Sequence, residues 1–173
     1  TNRENNIGIG HKVLNDLRLS TSSGDDNIAI GTQAGEKITT GVKNIMLGTN
    51  SLTTATTSES NICVGFETGK VITTGNYNVC VGTNALIAKT TGSDNIAIGY
   101  NALSTDVVGS RNIAIGTSAL LTQNTDSSLV TSNNISIGYQ SGKAITLGTA
   151  NVALGNNTLL ASTTGSKNTA IGD

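Results

Sequence analysis

Asn, apolar, small, apolar, Gly: this five-residue pattern returns along the whole chain, as NIAIG, NIMLG, NICVG, NVCVG and NVALG. With the Asn as position 0, units open at Asn6, Asn27, Asn44, Asn61, Asn78, Asn95, Asn112, Asn134, Asn151 and Asn168. The steps between them are 21, 17, 17, 17, 17, 17, 22, 17 and 17 residues. Seven of nine are identical, so residues 1–173 read as one repeat array with no separate catalytic domain. Period-two alternation over so few residues predicts one short strand per unit. A Gly at +4 in every unit, from Gly10 to Gly172, and a second Gly at −3 in most, such as Gly41, Gly75 and Gly92, predict two tight corners.

A unit of this size cannot bury its own apolar face. Coils stacked about 4.8 Å apart can, because each strand then pairs with the one above and the one below. The predicted fold class is all-β, a β-solenoid (parallel β-roll or β-helix) of about ten 17-residue rungs. Its length would be about 45–50 Å. The stacked Asn27, Asn44, Asn61, Asn78, Asn95, Asn112, Asn134 and Asn151 are expected to hydrogen-bond to one another as a ladder. Position +8 carries Leu in six units (Leu14, Leu52, Leu86, Leu103, Leu120, Leu159) and Gly in three (Gly35, Gly69, Gly142). Where Gly stands, an Ile follows at +11: Ile38, Ile72 and Ile145. At +11 most Leu units carry polar or small residues such as Lys89, Asp106 and Gln123, so each rung keeps about one large apolar side chain on its second arm.

The strand is apolar on both faces. If the Ile, Val and Leu residues at +1 and +3 point into the coil, the residue between them faces out. That residue is Gly8, Ala29, Met46, Cys63, Cys80, Ala97, Ala114, Ser136, Ala153 or Ala170, never Thr and never charged. A wet face in a chain this rich in Thr, Asn and Ser should show both. The expectation is that this small-residue line is covered by further copies of the chain in a homotrimer. The alternative is a thin single coil whose narrow interior the small residues fill.

At this point the motifs support a resemblance. NIAIG followed by a small residue and a coil return resembles the YadA-like head repeats of trimeric autotransporter adhesins. TTGSDNIAIGYNAL is still more similar to repeats of phage and algal-virus tail or surface fibre proteins. The resemblance spans essentially the whole chain, although a coil of 17 is longer than that of the adhesin head. It implies homotrimers, display on a virion or a bacterial outer surface, and attachment to a cell-surface receptor or glycan. Opening on TNRENN and stopping on NTAIGD, inside a repeat, the chain is expected to be a segment of a longer fibre protein.

Composition narrows the function classes. Ten basic and eleven acidic residues give a net charge of −1, with no basic stripe for nucleic acid. No apolar run is long enough to insert in a membrane. Aromatics are 2% of the chain and Trp and Pro are absent, so the core must come from Ile, Val, Leu and Ala. His11 is the single histidine and sits just past a strand, which offers no triad. Cys63 and Cys80 occupy the same place in consecutive rungs and are expected as buried free thiols, since stacked Cβ atoms lie about 4.8 Å apart and a disulfide needs about 3.8 Å. Asp25 and Asp26 are adjacent in a corner, not opposed. No calcium-binding Gly-Gly-x-Gly-x-Asp repeat or phosphate loop is present, so neither metal, cofactor nor enzyme activity is expected.

The two long steps place their extra residues in the same stretch, LNDLRLSTSSGDD and LLTQNTDSSLVTSNN. Loops on one face of a repeat array often bind, which makes Asp16, Arg18, Gln123, Asn124 and Asp126 candidates. The expected function is a structural, trimeric fibre or adhesin segment giving reach and attachment. The competing expectation is an ice-binding solenoid on its Thr pairs, Thr39–Thr40, Thr73–Thr74, Thr90–Thr91 and Thr163–Thr164. Against it, Val107, Val108 and Leu147 interrupt the Thr face.

Overall fold

The fold was described from a computed structural model, which covers residues 5–19, 24–123 and 131–173. Among the described residues ten strands of three residues form one parallel sheet in sequence order, about nine turns of a β-solenoid. They are β1 (Ile7–Ile9), β2 (Ile28–Ile30), β3 (Ile45–Leu47), β4 (Ile62–Val64), β5 (Val79–Val81), β6 (Ile96–Ile98), β7 (Ile113–Ile115), β8 (Ile135–Ile137), β9 (Val152–Leu154) and β10 (Thr169–Ile171). Register is held throughout: Ile28 pairs with Ile45, Cys63 with Cys80, Ala97 with Ala114. The step of 22 residues changes nothing in the sheet, since Ala114 still pairs with Ser136. The extra residues of the first long step include a short 3-10 helix, Asp16–Leu19.

Seventeen residues close into a coil because each rung bends at four left-handed places. In the rung of Asn95 these are Asp94 (φ 60°), Gly99 (φ 131°), Asn101 (φ 55°) and Leu103 (φ 52°). Short polar side chains tolerate that region, which is why Asn, Asp and Ser recur beside the corners. Position +4 demands glycine for a second reason. A Cβ on Gly99 would lie 2.7 Å from the Gly116 carbonyl one rung away. Backbones stack at a distance that leaves no room for a side chain.

The interior is narrow and is filled by four columns. Positions +2 and +7 supply mostly small side chains such as Ala97 and Ala102, and positions +8 and +11 supply at least one larger one. Leu52, Leu86, Leu103 and Leu120 are fully buried at +8, and Ile38, Ile72 and Ile145 are fully buried at +11. In the Gly rungs the two positions compete for the same space. A Cβ on Gly35 would meet the Ile38 Cδ1 and the Leu14 Cδ2, each at 3.1 Å. Close packing, not composition, fixes which rungs carry Gly at +8.

This packing reverses the expected facing of the strands. Ala29, Met46, Cys63, Cys80, Ala97, Ala114 and Ala153 are wholly inaccessible within a single chain, and Ser136 is nearly so. Gly8 and Ala170 continue the same column in β1 and β10, exposed and half-buried at the two ends. The eight closed off inside the coil, Ala29 to Ala153, reach no other copy along the rod. The coil is too thin to take Ile at +1 and +3 as well as Leu at +8, so alternation turns the β-branched residues outward.

Candidate functional site

The outward turn leaves an uncovered apolar face. Positions +1 and +3 form two columns along the sheet, Ile or Val at every +1 until Thr169, and Ile, Leu or Val at every +3. Ile30, Ile62, Ile98 and Leu154 keep 37–42% of their surface exposed. Parallel sheets are ordinarily covered on both faces. Here the second arm covers one face and nothing among the described residues covers the other. Nine steps of about 4.8 Å and a width of two side chains give a strip on the order of 400 Å², continuous along the sheet.

Beside the strip, buried polar ladders hold the rungs in place. The backbone N–H and the Nδ2 of Asn44 both donate to the Asn27 Oδ1, at 3.0 and 3.1 Å, and the second Nδ2 proton goes to the Ser58 carbonyl at 2.9 Å. Asn61, Asn78 and Asn151 repeat this arrangement. Asn95 adds a bond to the Ser93 carbonyl. At the long step the amides are rerouted. Asn112 Nδ2 donates to Asp106, and Asn134 Nδ2 to the Gln123 Oε1 at 2.8 Å.

Three polar residues at +11 lie fully inside the coil: Lys89, Asp106 and Gln123. Lys89 Nζ donates to the Asp106 Oδ2 at 2.6 Å and to the Gly109 carbonyl. Asp106 Oδ1 accepts the Gly109 N–H at 2.9 Å. Burial pushes the Lys89 amine below its ordinary value, and the Asp106 carboxylate opposes that shift without cancelling it. The sequence signal for this pair was opposite charges in one column on consecutive rungs. Gln123 donates to the Thr146 carbonyl, which removes it as a loop-binding residue: it is a core side chain.

The other sequence candidates do not converge. Asp16 opens the 3-10 helix, half-buried, and accepts from Asn15 Nδ2; Arg18 is in the same helix. Asn124 and Asp126 lie outside the described residues. His11 is exposed at +5 of the first rung. Among the described residues no three His, Cys, Asp or Glu side chains are grouped to hold a metal ion. No helix among them is long and apolar enough to cross a membrane. A depression lined by Asn6, Gly8, Val13, Leu14 and Leu17 is the open end of the coil interior.

Cys63 and Cys80 are buried and unbonded, with Cys80 Sγ donating to Cys63 Sγ at 2.7 Å. Burial, helped by the neighbouring sulphur, pushes the Cys80 thiol well above its ordinary range. A thiol that is neither ionised nor reachable does not react. Maleimide or a chromogenic disulfide should therefore label neither cysteine in native protein and both in denaturant, read by intact mass. Labelling of the native chain would contradict the burial.

No protein-family model, curated protein or solved structure matches the chain.

Proposed function

We propose that this chain is a self-associating structural segment of a fibre or adhesin, a homotrimer on the outer surface of a virion or cell that supplies reach and attachment and catalyses nothing. The observation that carries the reading is the uncovered double column of Ile, Val and Leu running the length of the sheet. Two adjacent columns suit a threefold axis, where +1 faces one neighbour and +3 the other. Equal rungs then meet at equal height, and every rung repeats the same contact. The resemblance of the repeats to adhesin heads and virus fibres points the same way. The interface is thus assigned to +1 and +3 in place of the small +2 column.

The Thr pairs do not favour an ice-binding surface. Thr39, Thr73 and Thr90 turn their hydroxyls onto the carbonyls of the next rung, at 3.1, 3.1 and 3.2 Å. That leaves one Thr per rung to meet water. Absolute mass by light scattering at micromolar concentration tests the fibre reading. The expected value is three times 17.5 kDa. A folded monomer would overturn the trimer and with it the use assigned to the apolar strip.

A further inference from the structure

The chain has four aromatic residues, Phe66, Tyr77, Tyr100 and Tyr139. Each keeps 49–55% of its surface exposed, and none enters the core. Three of them share one column. Position +5 runs Phe66, Thr83, Tyr100, Thr117, Tyr139 through five consecutive rungs. The column is continuous in the backbone. The carbonyls of Phe66, Thr83, Tyr100 and Thr117 accept the N–H groups of Asn84, Asn101, Ser118 and Gln140, at 2.9–3.1 Å. Rings therefore stand on alternate rungs with a Thr between them. The insertion in the 22-residue step does not break the alternation.

Alternation sets the spacing. Two rungs are about 9.6 Å, so three rings span about 19 Å in a straight line. A contact between identical coils in register would recur on every rung, as the Ile columns do. A period of two rungs calls for a partner with its own repeat of that length. An extended β-1,4-linked pyranose chain has one: it turns over at every sugar, and the same face returns every second residue at close to this distance. Aromatic rings take up apolar sugar faces, and one ring for every second sugar gives a stacking platform matched to the polymer. The next position supplies side-chain amides. Asn101 is half-buried beside Tyr100, and Gln140 Nε2 donates to the Tyr139 hydroxyl at 3.0 Å. Amides both donate to and accept from hydroxyl groups. A nucleic acid would stack equally well but needs cations along the line, and the chain carries a net charge of −1.

We infer that Phe66, Tyr100 and Tyr139 form a linear binding site for an extended β-1,4-linked polysaccharide, lying along the rod. This rests on the attachment reading above and names its ligand class.

The test is calorimetric titration of the full chain with cellohexaose and chitohexaose, with maltohexaose as a coiled chain of the wrong shape. At least one β-linked hexamer should bind, and its disaccharide should bind more than tenfold more weakly because it reaches one ring. Tyr100→Thr installs the residue that neighbouring rungs carry, so the coil is kept. It should weaken hexamer binding at least tenfold with unchanged circular dichroism and unchanged mass. F66T/Y100T/Y139T should abolish binding. No binding by either β-linked hexamer, equal binding by maltohexaose, or an unaltered affinity in Tyr100→Thr would each overturn the site. A loss of assembly in Tyr100→Thr would also overturn it, by placing the ring between copies of the chain. A trimer that binds no hexamer removes this site alone, whereas a monomer that binds one removes the trimer alone.

Discussion

Lys89→Met should cost the protein about 3–5 kcal/mol, the range for removing one partner of a buried ion pair. Both side chains are fully inaccessible. Methionine fills the space of the lysine stem but leaves the Asp106 Oδ2 without its cation, with the Asn112 Nδ2 at 3.4 Å, while the Gly109 carbonyl keeps the Asn95 Nδ2 as donor. The heads are seated in the glycine corners, where a Cβ on Gly92 would lie 2.8 Å from Lys89 Nζ and one on Gly109 2.6 Å from Asp106 Oδ2. Against a total stability of about 5–15 kcal/mol, that loss should melt the middle rungs. The double variant Lys89→Met/Asp106→Leu should recover part of it, because it removes the unpaired charge but leaves the Gly109 N–H and the Asn112 Nδ2 without their acceptor. Guanidinium unfolding of the three proteins is the measurement. A single Lys89→Met variant within about 1 kcal/mol of the parent would mean that the pair is not closed to solvent. The pH dependence has a definite sign. Lys89 binds its proton less tightly in the folded chain than at its usual 10.5. Between the lowered value and 10.5 the unfolded chain holds the extra proton, so this group makes stability rise with pH across that window. The double variant should lose that rise.

The same column shows what the sequence made legible and what it hid. Rung boundaries, the parallel stack and the exchange of Leu at +8 for Ile at +11 follow from spacing, because a fixed coil length leaves few ways to arrange Asn, Gly and one large side chain. Gly69 and Ile72 could be read as partners without coordinates. Facing could not be settled that way. The rule that Ile goes inside assumes an interior wide enough to hold it. This coil has little room beyond its second arm, and Leu86 with Lys89, or Ile72, already takes it. Ala97 and Cys80 are therefore inside because they are small, and Ile96 and Ile98 are outside because they are not. The charges were hidden for a related reason. Lys89 and Asp106 stand 17 residues apart, one coil in space, and a charged residue ordinarily signals solvent. The aromatic column was equally plain in the sequence, since Phe66, Tyr100 and Tyr139 all stand at +5. Its meaning needed the exposure and the rung spacing.

Reversed facing makes opposite predictions for neighbouring residues, and these have the largest effect on assembly. Ile62→Lys/Ile98→Lys puts one cation in the +1 column and one in the +3 column, at residues 38% and 37% exposed in the single coil. Within one chain both ammonium groups reach water and cost little. Around a threefold axis each substitution buries one cation in each of the three apolar, desolvated seams, at several kcal/mol per ion. The variant should lose the trimer entirely, so that light scattering no longer gives three times 17.5 kDa. Ala97→Leu lies between those columns and should do the reverse. Ala97 is inaccessible and belongs to the same core as Leu103, so the larger side chain overfills the coil and costs about 1–3 kcal/mol of folding stability. Its effect belongs in the unfolding curve and not in the subunit affinity, because a residue inside one coil touches no other copy. A charged pair that remains trimeric, beside an Ala97→Leu variant that folds normally but falls apart, would return the small column to the interface. The burial of Ala97 and the exposure of Ile98 argue for the other result, since a single strand of alternating side chains can turn only one of them to its neighbours.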